Sequence, residues 1–201
     1  EQKVDTAVQL ARAKLIENVC GVNEALPVYK QLANNDSEDD EVLAALAAAL
    51  YAKGNHDEAA KNANQSLRSN PNQPRMHLLL GKYHGAIGQL DQALHHLGEA
   101  VRLDPANFEA YMDLGKIYHG RRETAKALAA YEQAIQLSPG DFKPYYQSAL
   151  IMKEGKDFVG AEKMLRKASG LAPDDLDIHR QLGAVIALNL VHNSMEVGTT
   201  L

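Results

Sequence analysis

Apolar residues recur every three to four positions along almost the whole chain, and no stretch alternates in the two-residue rhythm of a strand. This spacing predicts helices over 2–19, 24–33, 41–53, 57–69, 75–87, 91–103, 109–121, 125–137, 143–155, 158–170 and 177–190. On the first of them Val4, Val8, Ala11 and Leu15 form one stripe, and Gly21 ends it. Asn23 can cap the second, which tolerates Pro27 near its first turn. Short turns at Gly54-Asn55, Gly88-Gln89 and Gly155-Lys156 join helices in pairs, and Arg121-Arg122 takes that place once, as a solvated corner. The pairs are separated by Asn70-Pro71, Asp104-Pro105, Ser138-Pro139 and Ala172-Pro173, where proline ends one helix and sets the exit toward the next. Acidic residues before the helices near 41 and 177 (Asp36, Glu38, Asp39, Asp40; Asp174, Asp175, Asp177) suit the positive end of a helix dipole.

The pattern repeats. Ala25, Ala59, Ala93, Ala127 and Ala161 stand thirty-four residues apart, and so do Pro71, Pro105, Pro139 and Pro173. A period of this length implies a solenoid of stacked helix pairs. Small residues at Ala47, Gly81, Gly115, Ala149 and Gly183 face the alanine column and let paired helices approach, with Leu97, Tyr131 and Leu165 filling the gaps. A large residue at such a crossing, as in Ala127→Leu, overpacks it.

Phe108–Asp141 carries Tyr111, Leu114, Gly115, Tyr118, Ala127, Tyr131, Ala134 and Pro139; Phe142–Asp175 carries Tyr145, Ala149, Met152, Ala161, Leu165, Ala168 and Pro173. This order of small, bulky and proline positions resembles the tetratricopeptide repeat (TPR) family. The resemblance implies an all-α, right-handed α-solenoid (superhelix) of helix–turn–helix repeats. The repeats fall at 6–39 (degenerate, with Ser37 in place of proline), 40–73, 74–107, 108–141 and 142–175, with a half repeat at 176–192 and an unstructured tail at 193–201. Composition does not shift along residues 1–201, so one domain is expected.

Composition narrows the function classes. An apolar content of 45% supports a sizeable core, and a net charge of −5 argues against bulk-electrostatic nucleic-acid binding. The one cysteine, Cys20, excludes an internal disulfide and is expected to be at least half-buried. A reducing compartment, cytoplasm or organelle matrix, fits that usage. No apolar run reaches the length of a membrane span, and the start at Glu1 rather than Met leaves room for an upstream segment. Neither Asn35-Asp36-Ser37 nor Asn64-Gln65-Ser66 is expected to be glycosylated.

No phosphate loop, dinucleotide fingerprint, nucleophile elbow or paired-cysteine motif occurs, so neither an enzyme nor a cofactor is expected. The eight histidines lack the i, i+4 spacing of a helical metal site; His77, His84 and His179 fall at packing positions of the repeat.

What the resemblance implies for function is protein binding, with the first helices of successive repeats lining a concave groove. Transferred position by position, the groove comprises Ala44, Ala45, Ala48, Tyr51 and Ala52, then Arg75, Leu78 and Lys82. Glu109, Met112, Asp113, Lys116 and His119 follow, and finally Lys143, Tyr146, Gln147, Lys153, Arg180 and Gln181. Lys82, Lys116, Lys143, Lys153 and Arg180 make a basic file suited to an acidic or C-terminal carboxylate segment, with Leu78, Met112 and Tyr146 as apolar contacts. The clamp that TPR proteins use for chaperone tails is not matched: one register gives Met112, Lys116, Gln147, Asp177 and Gln181, the other Leu78, Lys82, Asp113, Lys143 and Gln147. The last helix is apolar on most sides, so Val185, Leu188 and Val191 are expected to form a subunit interface. The expected role is a non-enzymatic scaffold in complex assembly. The alternatives are a structural protein self-associating through this helix, or a regulatory domain of a larger membrane-tethered protein.

Overall fold

The computed structural model describes residues 2–35 and 39–198, with side chains for 5–35 and 39–192. Within them lie eleven helices and no strand: α1 (Gln2–Cys20), α2 (Val22–Asn35), α3 (Asp40–Ala52), α4 (His56–Ser69), α5 (Pro74–Ala86), α6 (Leu90–Leu103), α7 (Phe108–Gly120), α8 (Thr124–Leu137), α9 (Phe142–Glu154), α10 (Phe158–Leu171) and α11 (Leu176–Gly198). The chain divides into two compact units, Glu1–Ala110 and Tyr111–Leu201.

Acidic residues at the helix starts work as caps. The Asp39 carboxylate accepts from the Val42 amide at 3.0 Å, Asp157 from Gly160 at 2.9 Å, and Asp175 from Ile178 at 3.1 Å. Asp36, Ser37 and Glu38 lie outside the described residues. In the turns within pairs, the left-handed backbone falls on Gly54, Gly88, Arg122 (φ 61°) and Lys156 (φ 64°), thirty-four residues apart. In the α9–α10 turn it is therefore Lys156, not Gly155, that takes the conformation L-residues disfavour. The turn geometry belongs to the repeat and is imposed whichever residue stands there.

In unit 1 a continuous core runs through α1 to α5, including Tyr29, Leu50, Met76 and Leu80. Ala25, Ala59 and Ala93 are fully buried, as are Ala127 and Ala161 in unit 2. Ser66, also buried, donates to the Asp40 carbonyl at 2.7 Å and ties α4 to the start of α3. In unit 2, Ala161, Leu165, Ile178 and Val185 form one cluster, and Ala127, Tyr131 and Ile151 another.

Two helices depart from the pattern read along the chain. On α1 the buried residues are Thr6, Leu10 and Ala13, while Val8, Ala11 and Leu15 face outward. The buried side follows the repeat register, because Ala13 stands thirty-four residues before Ala47. Cys20, at the end of this helix, is exposed rather than half-buried. At the other end, α11 continues to Gly198 where an unstructured tail is expected from 193. No glycine or proline interrupts it between Gly183 and Gly198, so nothing stops the hydrogen-bond ladder earlier. Residues 199–201 lie outside the described residues.

The helix crossings are close. A Cβ at Gly81 would lie 2.6 Å from the Leu97 side chain, and one at Gly115 would lie 2.6 Å from the Tyr131 ring. Both neighbours are buried and cannot swing away. Gly115→Ala is expected to destabilise by roughly 1–3 kcal/mol through overpacking. Gly98→Ala, with nothing within 4 Å, is expected to stabilise by roughly 0.5–1 kcal/mol as helix propensity dictates. Urea denaturation of the two variants checks the opposite signs.

Candidate functional site

In unit 1 the faces of α3 and α5 not consumed by packing carry the residues the repeat register assigns to a groove. Ala44, Ala45 and Ala48 are half-buried and floor a cavity of 580 Å³. A second cleft of 240 Å³ is lined by Tyr51, Ala52, Leu78 and Lys82. Ala48 and Arg75 line both, so the two hollows are joined at that pair.

The cavity has a wall that the sequence assignment missed. Lys14, Glu17 and Asn18 of α1 and Tyr29 of α2 complete it. Lys14, Glu17 and Asn18 stand thirty-four residues before Ala48, Tyr51 and Ala52, so the ruler that located the α3 floor also points to them. The degenerate first repeat hid that signal. The Tyr29 hydroxyl donates to Glu17 at 2.6 Å, and burial together with this bond drives its pKa well above the ordinary tyrosine value. Lys14 pairs with Glu41 at 3.8 Å. Arg75 is exposed and, among the described residues, makes no ion pair or hydrogen bond; its charge lies near enough to the Tyr29 hydroxyl to oppose that rise.

The basic file is largely neutralised from within. Lys82 is ion-paired with Glu109 in unit 1. In unit 2, Lys153 donates to Gln181 at 2.7 Å, and Arg180 pairs with Asp177. Asp177 also accepts from the Tyr146 hydroxyl, whose pKa is pushed up to about 12 by burial and by that carboxylate. His119 meets Glu154 at 2.8 Å. Lys116 and Lys143 are the members of the file left exposed without an ion pair. Met112 and Tyr146 pack against the unit 2 clusters instead of standing free, while Asp113 and Gln147 are half-buried.

Of the three residues expected at a subunit interface, Leu188 and Val191 are exposed, but Val185 is fully buried in the unit 2 core. It is the counterpart of Ile151, thirty-four residues earlier, which is buried as well. The repeat register spends that position on packing.

Four histidines that show no motif in the sequence meet between α5 and α6. His77 Nδ1 lies 3.1 Å from His96 Nδ1, and His77 Nε2 lies 3.1 Å from the Pro71 carbonyl. A carbonyl only accepts, so Nε2 of His77 carries the proton and His96 donates to its Nδ1. His84 stacks on His96 at 5.5 Å, with its Nδ1 2.7 Å from the Gln89 side-chain oxygen, and His95 lies edge-on. Among the described residues, no group of three or more His, Cys, Asp or Glu is arranged to hold a metal ion. His179, at the packing position of the half repeat, is exposed and bonds the Pro173 carbonyl at 2.7 Å.

Burial, reinforced by His77, His95 and His84 and opposed by Glu99, lowers the His96 pKa to about 4 from an ordinary 6.5. The unfolded chain therefore binds the proton more readily between those values. The stability this neutral imidazole contributes is complete above pH 6.5 and is lost as pH falls toward 4. Thermal melts across that window are expected to show a falling midpoint in the native chain. The dependence should be reduced in His96→Phe.

Family profiles described as tetratricopeptide repeat match residues 22–83 and 78–142. Among solved structures, the crystal structure of MamA is similar at a TM-score of 0.74 and 22% identity, covering 80% of this chain and 94% of that one. MamA residues 41-end from Desulfovibrio magneticus RS-1 match at 0.74 and 23%, covering 85% and 97%. The crystal structure of YrrB, described as a TPR protein with an unusual peptide-binding site, matches at 0.74 and 22%, covering 86% and 89%. At such identities these structures speak to the fold alone. No curated protein matches the chain, and no helix among the described residues is long and apolar enough to cross a membrane. Helix pairs at a thirty-four-residue period, their glycine and alanine crossings and the two profile matches together place this chain in the tetratricopeptide repeat family.

Proposed function

We propose that the chain is a non-enzymatic scaffold that captures an extended acidic segment of a partner protein in the unit 1 groove, as a step in assembling a complex. The observation carrying this reading is the placement of Arg75. It is an exposed guanidinium without an ion pair, shared by a roomy alanine-floored cavity and a cleft walled by Tyr51 and Leu78. A guanidinium offers two parallel donors to a carboxylate, and the cleft beside it takes an apolar side chain. The partner chemistry that fits is a carboxylate next to a bulky apolar residue. YrrB, similar in fold, is a TPR protein described by its peptide-binding site, which is compatible with such a role. In unit 2, Lys116 and Lys143 offer further free cations of the same sign.

The reading is tested by capturing partners from the native source and measuring their affinity for variants by fluorescence anisotropy. Arg75→Glu should weaken binding at least tenfold, since it places a carboxylate against a carboxylate. Ala48→Trp should do the same by filling the joint between the hollows. Lys163→Glu, an exposed change on α10, serves as control. Unchanged affinity in both groove variants sinks the assignment.

A further inference from the structure

The larger cavity of unit 1 holds charges of both signs, and only some of them cancel. Lys14 and Glu41 line it and pair with one another at 3.8 Å. Glu17 and Arg75 line it too, and among the described residues neither makes an ion pair. Both act on the Tyr29 hydroxyl, the carboxylate raising its pKa and the guanidinium lowering it, so both charges lie close to that one oxygen. They are nevertheless too far apart to pair with each other. The cavity therefore keeps one uncompensated anion and one uncompensated cation a short distance apart.

Glu17 is held in the wall. It is half-buried on α1, thirty-four residues before Tyr51, and it points to the opposite side of that helix from Val8 and Leu15. The fully buried Tyr29 donates its hydroxyl to one carboxylate oxygen at 2.6 Å. The other oxygen accepts nothing among the described residues, and a carboxylate has room for several donors. An ammonium or guanidinium would meet it through charge-assisted hydrogen bonds, about twice as strong as neutral ones.

A run of acidic residues is a poor occupant for such a cavity. One carboxylate on Arg75 satisfies the guanidinium, but a second beside it would face Glu17 and be repelled. An acidic and a basic residue together satisfy both charges. Their order follows from the lining: Glu17 borders only the larger hollow, Tyr51 and Leu78 only the smaller, and Arg75 both.

We infer that the acidic segment captured by the groove carries a Lys or Arg for Glu17, on the side of its Arg75-bound carboxylate away from the apolar residue that enters the Tyr51–Leu78 cleft. The inference rests on the groove reading above and names the partner residue that reading leaves open. Glu17 is then a specificity-determining residue, supplied by the degenerate first repeat where the next repeat has Tyr51.

A phage-displayed library of random peptides, selected on the native chain, on Glu17→Gln and on Glu17→Lys, tests it. Glutamine keeps an acceptor for the Tyr29 hydroxyl, and circular dichroism verifies that each variant folds. Peptides from the native chain should carry Lys or Arg close to an Asp or Glu. Those from Glu17→Gln should keep the acidic residue and lose the basic preference, and those from Glu17→Lys should carry a second acidic residue in its place. By fluorescence anisotropy, changing the basic residue of one selected peptide to Ala should weaken binding to the native chain roughly tenfold, and to Glu17→Gln hardly at all. Changing it to Glu should be rescued by Glu17→Lys, a reversal that a merely structural role of Glu17 does not produce. Acidic peptides without a basic preference, or a basic preference that survives in Glu17→Gln, overturn the inference and leave the groove reading standing. Selected peptides that lack the acidic residue, or a library that yields no binder, overturn both.

Discussion

The structure depends on how closely the two helices of a pair can approach. At Gly81 and Gly115 the missing Cβ is replaced by Leu97 and Tyr131, and at Ala59, Ala127 and Ala161 the methyl group is completely enclosed. Close axes allow bulky residues to interdigitate, and burying each such side chain is worth roughly 1.5–3 kcal/mol. Because the contact recurs at a fixed interval, each pair presents its next neighbour with the same surface. In unit 1 the half-buried alanines of α3 lie on the face left after these packing directions are used, where they line a cavity.

Electrostatics then decides which part of the groove is chemically available. Five cations sit along the positions assigned to it, but intrachain partners engage Lys82, Lys153 and Arg180. Such exposed pairs contribute little to stability, yet they reduce a row of positive charges to a few free ones. Among the described residues, Arg75 beside the two hollows of unit 1, and Lys116 and Lys143 in unit 2, stand exposed without an ion pair.

The histidine cluster shows the same economy inside a packing layer. His77 and His96 sit inside a helix-packing layer, where their Nδ1 atoms bond each other and His77 Nε2 donates to the Pro71 carbonyl. A buried polar group is tolerable only when its hydrogen bonds are made. Burial there disfavours the charged form of His96, and the neighbouring histidines add to that. An ordinary helix crossing has thereby acquired sensitivity to acid.

Periodicity by itself determined the all-α architecture, the pairing of helices and the alanine column at Ala25 to Ala161. It could do so because each is a local property repeated every thirty-four residues, and repetition separates signal from chance. Misassignments arose where one helix was read without its neighbours. Val8 and Leu15 look like a core stripe on α1, and Val185 looks like surface on α11, because hydrophobicity does not say which apolar side faces a partner. Only the tertiary structure decided that, together with the Lys82–Glu109 pairing, the meeting of His77 with His96 and the freedom of Arg75. Each of these depends on side chains from different helices arriving within a few ångströms of one another, a distance that no spacing along a single helix encodes.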